Sequence, residues 1–476
     1  MLEKLNTSPG EAKSILTKLP INKAPGKDEV ATILLKNLPR KVIVQIMYVI
    51  NAVLLLQHFP KQWKGAMVVP ILKPGKNPVE PGSYRPIALL NALSKVTEKI
   101  ILNRIKTLNL DKSIPEEQFG FREGHSTVLL AANVVQNALN KINMQQSTVL
   151  LALDIEKAFD KVWFNGLVYK LAIVHGFPLY LVALLYSYIT GRTFSVRVEA
   201  TTSTPQKTHA GVPQGTVLSP MLFNLYTADI PKYPSTSLAI FADDVLISAS
   251  SFYANVARSH IQNHLHYLLP WYAKWKLQIN EKKCESTILT KKFTNHTLNI
   301  PITIKNTQVP PTKKLKYLGV ILDSRLRFAS HTSYILQKGF LAMQNLYAIL
   351  APRSPLSPRN KLLIYNAILK PVIAYAAPIW CSISNAQMAR LQRFQNRVLR
   401  CVLSSGRYDN TIAELHDLTN TPYIADYIFE ISEKFYRTKI SNSTLTQNLT
   451  QIRYTDDITH KPIYSRLNIF FEDRVP

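Results

Sequence analysis

Cysteine is scarce in this chain of 476 residues. The three present, Cys284, Cys381 and Cys401, lie far apart and form no CxxC or Cys/His cluster. That spacing excludes a disulfide framework, gives no zinc site and suits a reducing, intracellular setting, whether nucleus or cytoplasm. Acidic residues are also in deficit: 30 Asp and Glu stand against 57 Lys and Arg, a net charge of +27. A fold does not need such an excess, which repels itself unless a polyanion binds. Nucleic acid is the first class of partner implied, an anionic membrane surface the second. Long apolar runs are missing too. Val42 to Phe59 is interrupted by Gln45, Asn51, Gln57 and His58, and Leu171 to Ile189 by His175, Gly176 and Pro178. A spanning helix needs about 20 largely apolar residues, so both segments read as buried core helices and no membrane partner is expected. The N-terminus has neither an apolar core nor a cleavage-like site, which excludes a secretory signal peptide. There is no internal repeat.

What is present suffices for two to four structural units, since 46% of residues are hydrophobic and 9% aromatic. Helical patterns cover Glu11 to Lys18, roughly Val30 to Phe59, and Ser94 to Lys106 with Ser94 as N-cap. The loop Ile21 to Asp28 separates the first two. Trp63 to Leu72 reads as a strand entering a turn at Lys73-Pro-Gly-Lys76, and Tyr84 to Leu90 is a second short apolar run. The central third alternates: a strand over Thr148 to Leu153, a helix through the 160s to about Tyr188, and a half-buried strand over Phe194 to Val198. A helix over Leu218 to Tyr226, a hairpin over Leu238 to Ala249 and a helix over His260 to Leu277 follow. The pattern predicts an α+β layer of antiparallel strands backed by helices. After Leu322 amphipathic helices dominate, at Tyr334 to Leu350, Pro358 to Ala376 and Ala386 to Leu403, and Arg390, Arg393, Arg397 and Arg400 form a basic stripe. Beyond Ser404 the composition turns polar, and Ser441 to Thr450 reads as a linker or loose tail.

The most informative ten residues are Ala239-Ile-Phe-Ala-Asp-Asp-Val-Leu-Ile-Ser248. Adjacent acids repel, and apolar strands exclude unpaired carboxylates because desolvating them is costly. Asp243 and Asp244 at the tip of a buried hairpin therefore imply a cation, most simply a divalent metal; a solvated pair is the alternative. Asp154 ends a second apolar strand in Leu151-Ala-Leu-Asp-Ile-Glu-Lys-Ala-Phe-Asp160. If the two strands are neighbours, the three acids converge and could hold two Mg²⁺ ions about 3.5–4 Å apart, the arrangement for in-line displacement at phosphorus. Between them, Gly211-Val-Pro-Gln-Gly-Thr-Val-Leu-Ser-Pro220 sets two glycines and two prolines around one Gln, a rigid backbone that a flat ligand can approach closely. Taken alone, an ordinary turn feeding a helix explains it equally.

Eight segments in one order carry a resemblance: Lys73-Pro-Gly-Lys76, Ser83 to Leu90, Gln118-Phe-Gly-Phe-Arg122, Asp154 to Asp160, Gly211 to Gly215, Phe241-Ala-Asp-Asp244, Asn280-Glu-Lys-Lys283 and Tyr317-Leu-Gly319. The series resembles the reverse transcriptases, and within them the jockey-like, non-LTR retrotransposon branch. Tyr365 to Trp380 is similar to the segment after the polymerase core in that group. The resemblance implies a right-hand polymerase of fingers, palm and thumb. It divides the chain into an N-terminal helical extension (1–60), fingers and palm (61–323), a helical thumb-like region (324–403) and a C-terminal tail (404–476). It implies RNA-directed DNA synthesis with Mg²⁺ (or Mn²⁺), an RNA template, a DNA primer and dNTPs. Asp154, Asp243 and Asp244 match the metal-binding carboxylates. Phe159 falls at the steric gate against a 2′-hydroxyl, and Gln214 and Gly215 line the incoming nucleotide. Lys73 and Arg85 hold its triphosphate, Lys283 is the candidate general acid for pyrophosphate, and Tyr317, Leu318 and Gly319 form the primer grip. Asp160 reads as a structural or helix-capping acid rather than a metal ligand.

Members of this group usually carry an endonuclease domain ahead of the polymerase, and nothing before Ile21 could encode one. The chain therefore looks N-terminally truncated, with endonuclease activity expected from elsewhere. A catalytically inactive nucleic-acid-binding remnant is the alternative function. A metal-dependent nuclease also uses clustered carboxylates, but leaves Phe159, Gln214, Lys73 and Arg85 unexplained.

Overall fold

The computed structural model describes residues 6–291, 301–406 and 408–440. Its centre is the strand Ser147–Leu153, whose residues are nearly all buried. On one side it pairs antiparallel with Asp244–Ser251, in a register running from Ser147 opposite Ser251 to Leu153 opposite Val245. On the other it pairs antiparallel with Glu285–Leu289. Thr236–Phe241 closes the hairpin with Asp244–Ser251, and Pro311–Thr312 adds a short parallel pairing at the far edge. Alternation along these strands divides the apolar side chains between two cores. Val149, Leu151, Leu153, Ile240, Val245, Ile247 and Ile288 join one core, with the helices Pro9–Thr17, Arg40–Leu56, Ala92–Thr107 and Ala254–Lys274. Leu150, Ala239, Leu246 and Leu289 face the other, with Thr127–Asn143, Ala329–Asn345, Asn385–Leu403 and Ile424–Ile440. A slip of one residue would exchange every pair of faces, so the register at the acid pair is set by both cores at once.

A second sheet packs Gly65–Leu72 between Tyr84–Leu89, antiparallel, and Thr193–Val198, parallel. This is the α+β arrangement expected, with parallel pairing where the antiparallel expectation failed. Several boundaries differ for identifiable reasons. The helix expected over Val30 to Phe59 is two, Thr32–Lys36 and Arg40–Leu56, because Pro39 has no N–H to donate and takes the cap position of the second. The long helix through the 160s starts at Phe164 and breaks at Gly176 and Pro178, where Leu179–Ile189 begins. Ser94 is not an N-cap: Asn91 holds that position, and Ser94 lies inside the helix with its hydroxyl on the Glu98 carboxylate at 3.0 Å. The helix from Pro358 passes through a widened turn at Tyr365–Leu369 that accommodates Pro371. The helix Thr127–Asn143, capped by Ser126, and the strand Glu285–Leu289 were not anticipated. The polar region after Ser404 holds two further helices, Ile412–Thr419 and Ile424–Ile440, where a tail was expected. The linker read over Ser441 to Thr450 lies outside the described residues. Among the described residues no helix is long and apolar enough to cross a membrane.

Glu98, on the Ala92–Thr107 helix, is fully buried and ties that helix to the segment before Ser219–Tyr226. One carboxylate oxygen accepts from Ser94; the other accepts the N–H groups of Val217 at 2.7 Å and Leu218 at 3.4 Å. Burial pushes its pKa up, and the Val217 N–H and the Arg192 charge hold it down in part. These bonds fix the backbone entering the Ser219–Tyr226 helix. Glu98→Ala leaves three donors without an acceptor, so an unfolding free energy lower by about 2–4 kcal/mol is expected in denaturant titration. A loss under about 0.5 kcal/mol would show that water replaces the carboxylate.

Candidate active site

Asp154 is the first residue past the central strand, and its carbonyl accepts the Asn280 N–H at 2.8 Å. That bond draws in the short 3₁₀ turn Glu281–Lys283, and the Lys283 ammonium lies 3.7 Å from the Asp154 carboxylate. Both side chains keep solvent contact, at 40% for Asp154 and 68% for Lys283. One strand over, Phe241 pairs with Asp244, so Ala242 and Asp243 form the two-residue turn. Ala242 has a left-handed φ of +58°. Burial first, then the Asp154 charge, raises Asp243. Asp244 is raised to about 6 by the cleft walls and by the charges of Asp243 and Asp154, although its side chain still reaches solvent.

The Gly211-Val-Pro-Gln-Gly215 loop lies against the turn that follows Asp154. Gly211 and Val212 donate to the carbonyls of Val162 and Phe159, both at 2.8 Å. Gly211 has φ +94°, and a Cβ there would fall 2.7 Å from the Asp160 carbonyl oxygen. The Gln214 amide donates to Asp160 at 2.9 Å, so Asp160 is a structural acid serving this loop; the following helix begins only at Phe164. Gly215 packs on Ala88 of the second sheet. Phe159 stacks on Phe223 at 4.5 Å between centroids and meets Phe121 edge-on at 6.2 Å. Tyr317, Leu318 and Gly319 close the hairpin of Lys314–Tyr317 and Val320–Asp323, with φ of +44° and +83° at its two turn residues. The Tyr317 hydroxyl donates to the Ala239 carbonyl at 3.3 Å, and burial, then the nearby Asp244 charge, makes it a weaker acid. Tyr375 donates to the Leu318 carbonyl at 3.0 Å, and its ring fills the space beside Gly319.

Two residues stand apart. Lys73 caps its own loop through a 2.9 Å bond to the Gly82 carbonyl. Arg85 is exposed on the second sheet with no hydrogen bond or ion pair among the described residues. Three arginines of the basic stripe, Arg390, Arg393 and Arg397, line a cleft of about 480 Å³ with Ser333, Gln337 and Phe340, while Arg400 turns away to the Asn410 carbonyl.

The chemistry of the acids fits a divalent cation. Burial first, and convergent like charge after it, raise the pKa of Asp243 and Asp244, and a cation beside them offsets that penalty. Among the described residues no three His, Cys, Asp or Glu side chains close on a single point. Mg²⁺ does not need such a cage, because it keeps waters and binds one or two carboxylates together with substrate phosphates.

Acids brought to one end of a sheet by neighbouring antiparallel strands, with the Gly211–Gly215 loop joining that end to a second sheet, are the arrangement of a right-hand polymerase. Within that class, residues 71–322 match the family described as reverse transcriptase (RNA-dependent DNA polymerase), and the chain belongs to it. The family generally uses divalent metal ions. The probable RNA-directed DNA polymerase from transposon X-element of Drosophila melanogaster is 40% identical over 83% of this chain and 44% of that protein. The RNA-directed DNA polymerase from mobile element jockey, also of Drosophila melanogaster, is 33% identical over 92% of this chain and 48% of that protein. The chain thus spans about half the length of the curated relatives it matches. An apo telomerase from Candida tropicalis aligns over 62% of the chain at 11% identity and a TM-score of 0.38, too distant to carry an argument.

The raised Asp244 pKa means that the folded protein binds this proton more tightly than the unfolded chain does. Its ionisation therefore costs stability progressively as pH rises from about 4 to about 6, and in full above that. Discounted for solvent contact, the cost is about 1 kcal/mol. Asp244→Asn should raise Tm by about 2 °C at pH 7 in chelator and not at pH 4. Equal shifts at both pH values would show that charge is not the cause.

Proposed function

We propose that the chain is an RNA-directed DNA polymerase of a non-LTR retrotransposon, joining dNTPs to a primer 3′-hydroxyl on an RNA template. The observation that carries this reading is the placement of the Asp154–Lys283 pair and the Asp243–Asp244 turn at one end of the sheet. The primer 3′-hydroxyl loses its proton to solvent, its oxygen attacks the α-phosphate of a paired dNTP, the bond to pyrophosphate breaks, and the pyrophosphate leaves with a proton from Lys283, which solvent then reprotonates. Mg²⁺, or Mn²⁺ in its place, held by Asp154, Asp243 and Asp244, would acidify the primer hydroxyl and neutralise charge on the phosphates. Lys283 is free enough in solvent to leave Asp154 and give its proton to the leaving group. Phe159, backed by Phe223, presents a fixed ring against a 2′-hydroxyl. Gln214, anchored by Asp160, and Gly215 form the floor for sugar and base. The uncommitted Arg85 guanidinium suits bidentate contact with the triphosphate, with Lys73 beside it as a point charge. Tyr317, Leu318 and Gly319, braced by Tyr375, grip the primer end, and the arginine cleft follows the phosphate backbone. Base pairing then sets sequence, and the protein reads duplex shape.

Primer extension on poly(rA)/oligo(dT) with Mg²⁺ tests the reading. Wild type should extend, and Asp243→Asn should fall by about 10³-fold or more. Folded wild type that binds the hybrid without extending it would make the chain an inactive nucleic-acid-binding remnant. Cleavage of the hybrid would make it a nuclease.

Phe159→Val tests the gate separately. The ratio of dNTP to rNTP incorporation should fall by about 10-fold or more as the 2′-hydroxyl gains room. An unchanged ratio would return Phe159 to the core as packing alone.

A further inference from the structure

The acid turn is held by a side chain from elsewhere in the chain. The segment 117–119 runs parallel to the outer side of Thr236–Phe241: Phe119 donates to the Ile240 carbonyl at 2.8 Å, and Ile240 donates to the Glu117 carbonyl at 3.0 Å. Gln118 is 1% exposed, and its side-chain amide reaches past that pairing to the turn. Its oxygen accepts the Ala242 N–H and the Gly120 N–H, each at 2.8 Å, and its nitrogen donates to the Ala242 carbonyl at 3.3 Å. One amide therefore satisfies both backbone groups of the residue that precedes Asp243, as a neighbouring strand would. Gly120 permits this approach, since a Cβ there would lie 2.4 Å from the Ala242 nitrogen. The buried Asn224 amide holds the Gly120 carbonyl at 2.8 Å.

The clamp sits where the turn most needs one. Ala242 is in the left-handed region, which costs an L-residue roughly 1–2 kcal/mol. Such strain persists only where the surroundings over-determine it. The two following acids repel each other and Asp154, so without an external brace the turn would relax by swinging them apart.

We propose that Gln118 is a positioning residue for the acid pair: its amide fixes the Ala242 backbone and thereby aims Asp243 and Asp244 at the reacting phosphate. It does not touch substrate. The inference rests on the polymerase reading, but the clamp itself can be measured without turnover.

The test uses the full chain with Gln118→Met, which keeps length and apolar bulk and removes the amide. Hydrogen exchange on the free protein reads the turn: peptides covering 239–244 should exchange at least about 10-fold faster, with protection elsewhere unchanged. Primer extension should show kcat lower by about 10²-fold, as expected for a small misplacement of reacting groups. KM for dNTP should stay within about 2-fold. If Gln118→Met does not fold, Gln118→Asn carries the test, because it keeps an uncharged amide and shortens its reach to the turn by one methylene. Folded variants with wild-type protection at the turn, or with kcat within about 2-fold of wild type, overturn the inference. So does a uniform loss of protection, or failure of both variants to fold, since either assigns Gln118 to general packing. Wild type that extends no primer defeats the polymerase reading instead, and the exchange result then still decides whether Gln118 holds the turn.

Discussion

Mutual repulsion of three carboxylates is the constraint around which this molecule is built. Burial and the nearby Asp154 charge raise the pKa of both Asp243 and Asp244, and the Asp243 charge adds to the rise at Asp244, so holding this pair in place opposes folding and must be enforced from outside. Enforcement begins with two apolar cores gripping one sheet. Neither core could do it alone, because a strand buried on one face can tilt or twist away from the acids. With Val149, Leu151 and Leu153 on one side and Leu150 on the other, the strand ending at Asp154 has no free face through which to relax. The hairpin carrying the acid pair is held in the same way, by Val245 and Ile247 against Leu246.

Around that rigid centre, polar groups do the local aiming. Glu98 fixes the backbone after the Gly211–Gly215 loop, Asp160 fixes the Gln214 amide, and the Asn280 N–H fixes the carbonyl of Asp154 itself. Each such bond joins segments distant in sequence, and at the buried Glu98 a partnerless donor would be costly. The site is therefore aligned by backbone hydrogen bonds as much as by its functional side chains.

This division explains what could be read from sequence. Asp154, Asp243 and Asp244 were legible because charge inside an apolar strand violates the local pattern, and the hairpin and the central strand read as short continuous apolar runs, as strands buried on both faces do. Helix boundaries failed where proline acts through the bond it cannot make, as at Pro39, or where an apparent cap such as Ser94 finds a better partner in Glu98. Thr127–Asn143 was missed although Ser126 caps it and its burial is extensive. The signal was present nonetheless: Asn133, Gln136, Asn137, Asn140 and Lys141 recur at helical spacing beside an apolar face. Gln118 lay inside a segment noted for its resemblance, yet nothing local shows that its amide serves a turn 124 residues away. A buried amide among Phe and Gly was the only available signal.

The charge of the whole chain and the charge of the site have opposite signs, and the difference bears on substrate order. A chain with a net charge of +27 attracts polyanions from a distance, template and primer on the proposed reading. On the same reading the acid cleft repels a nucleotide's triphosphate, and Lys283 lies by Asp154 at 3.7 Å. A single ammonium cannot neutralise three carboxylates and a triphosphate together. Nucleic acid can therefore dock on the protein's own arginines and lysines, whereas a nucleotide must arrive with its charge already compensated. On that reading divalent cations supply the positive charge beside the acids that the basic surface does not, while Lys283 stays exposed enough to leave Asp154 when the phosphates arrive.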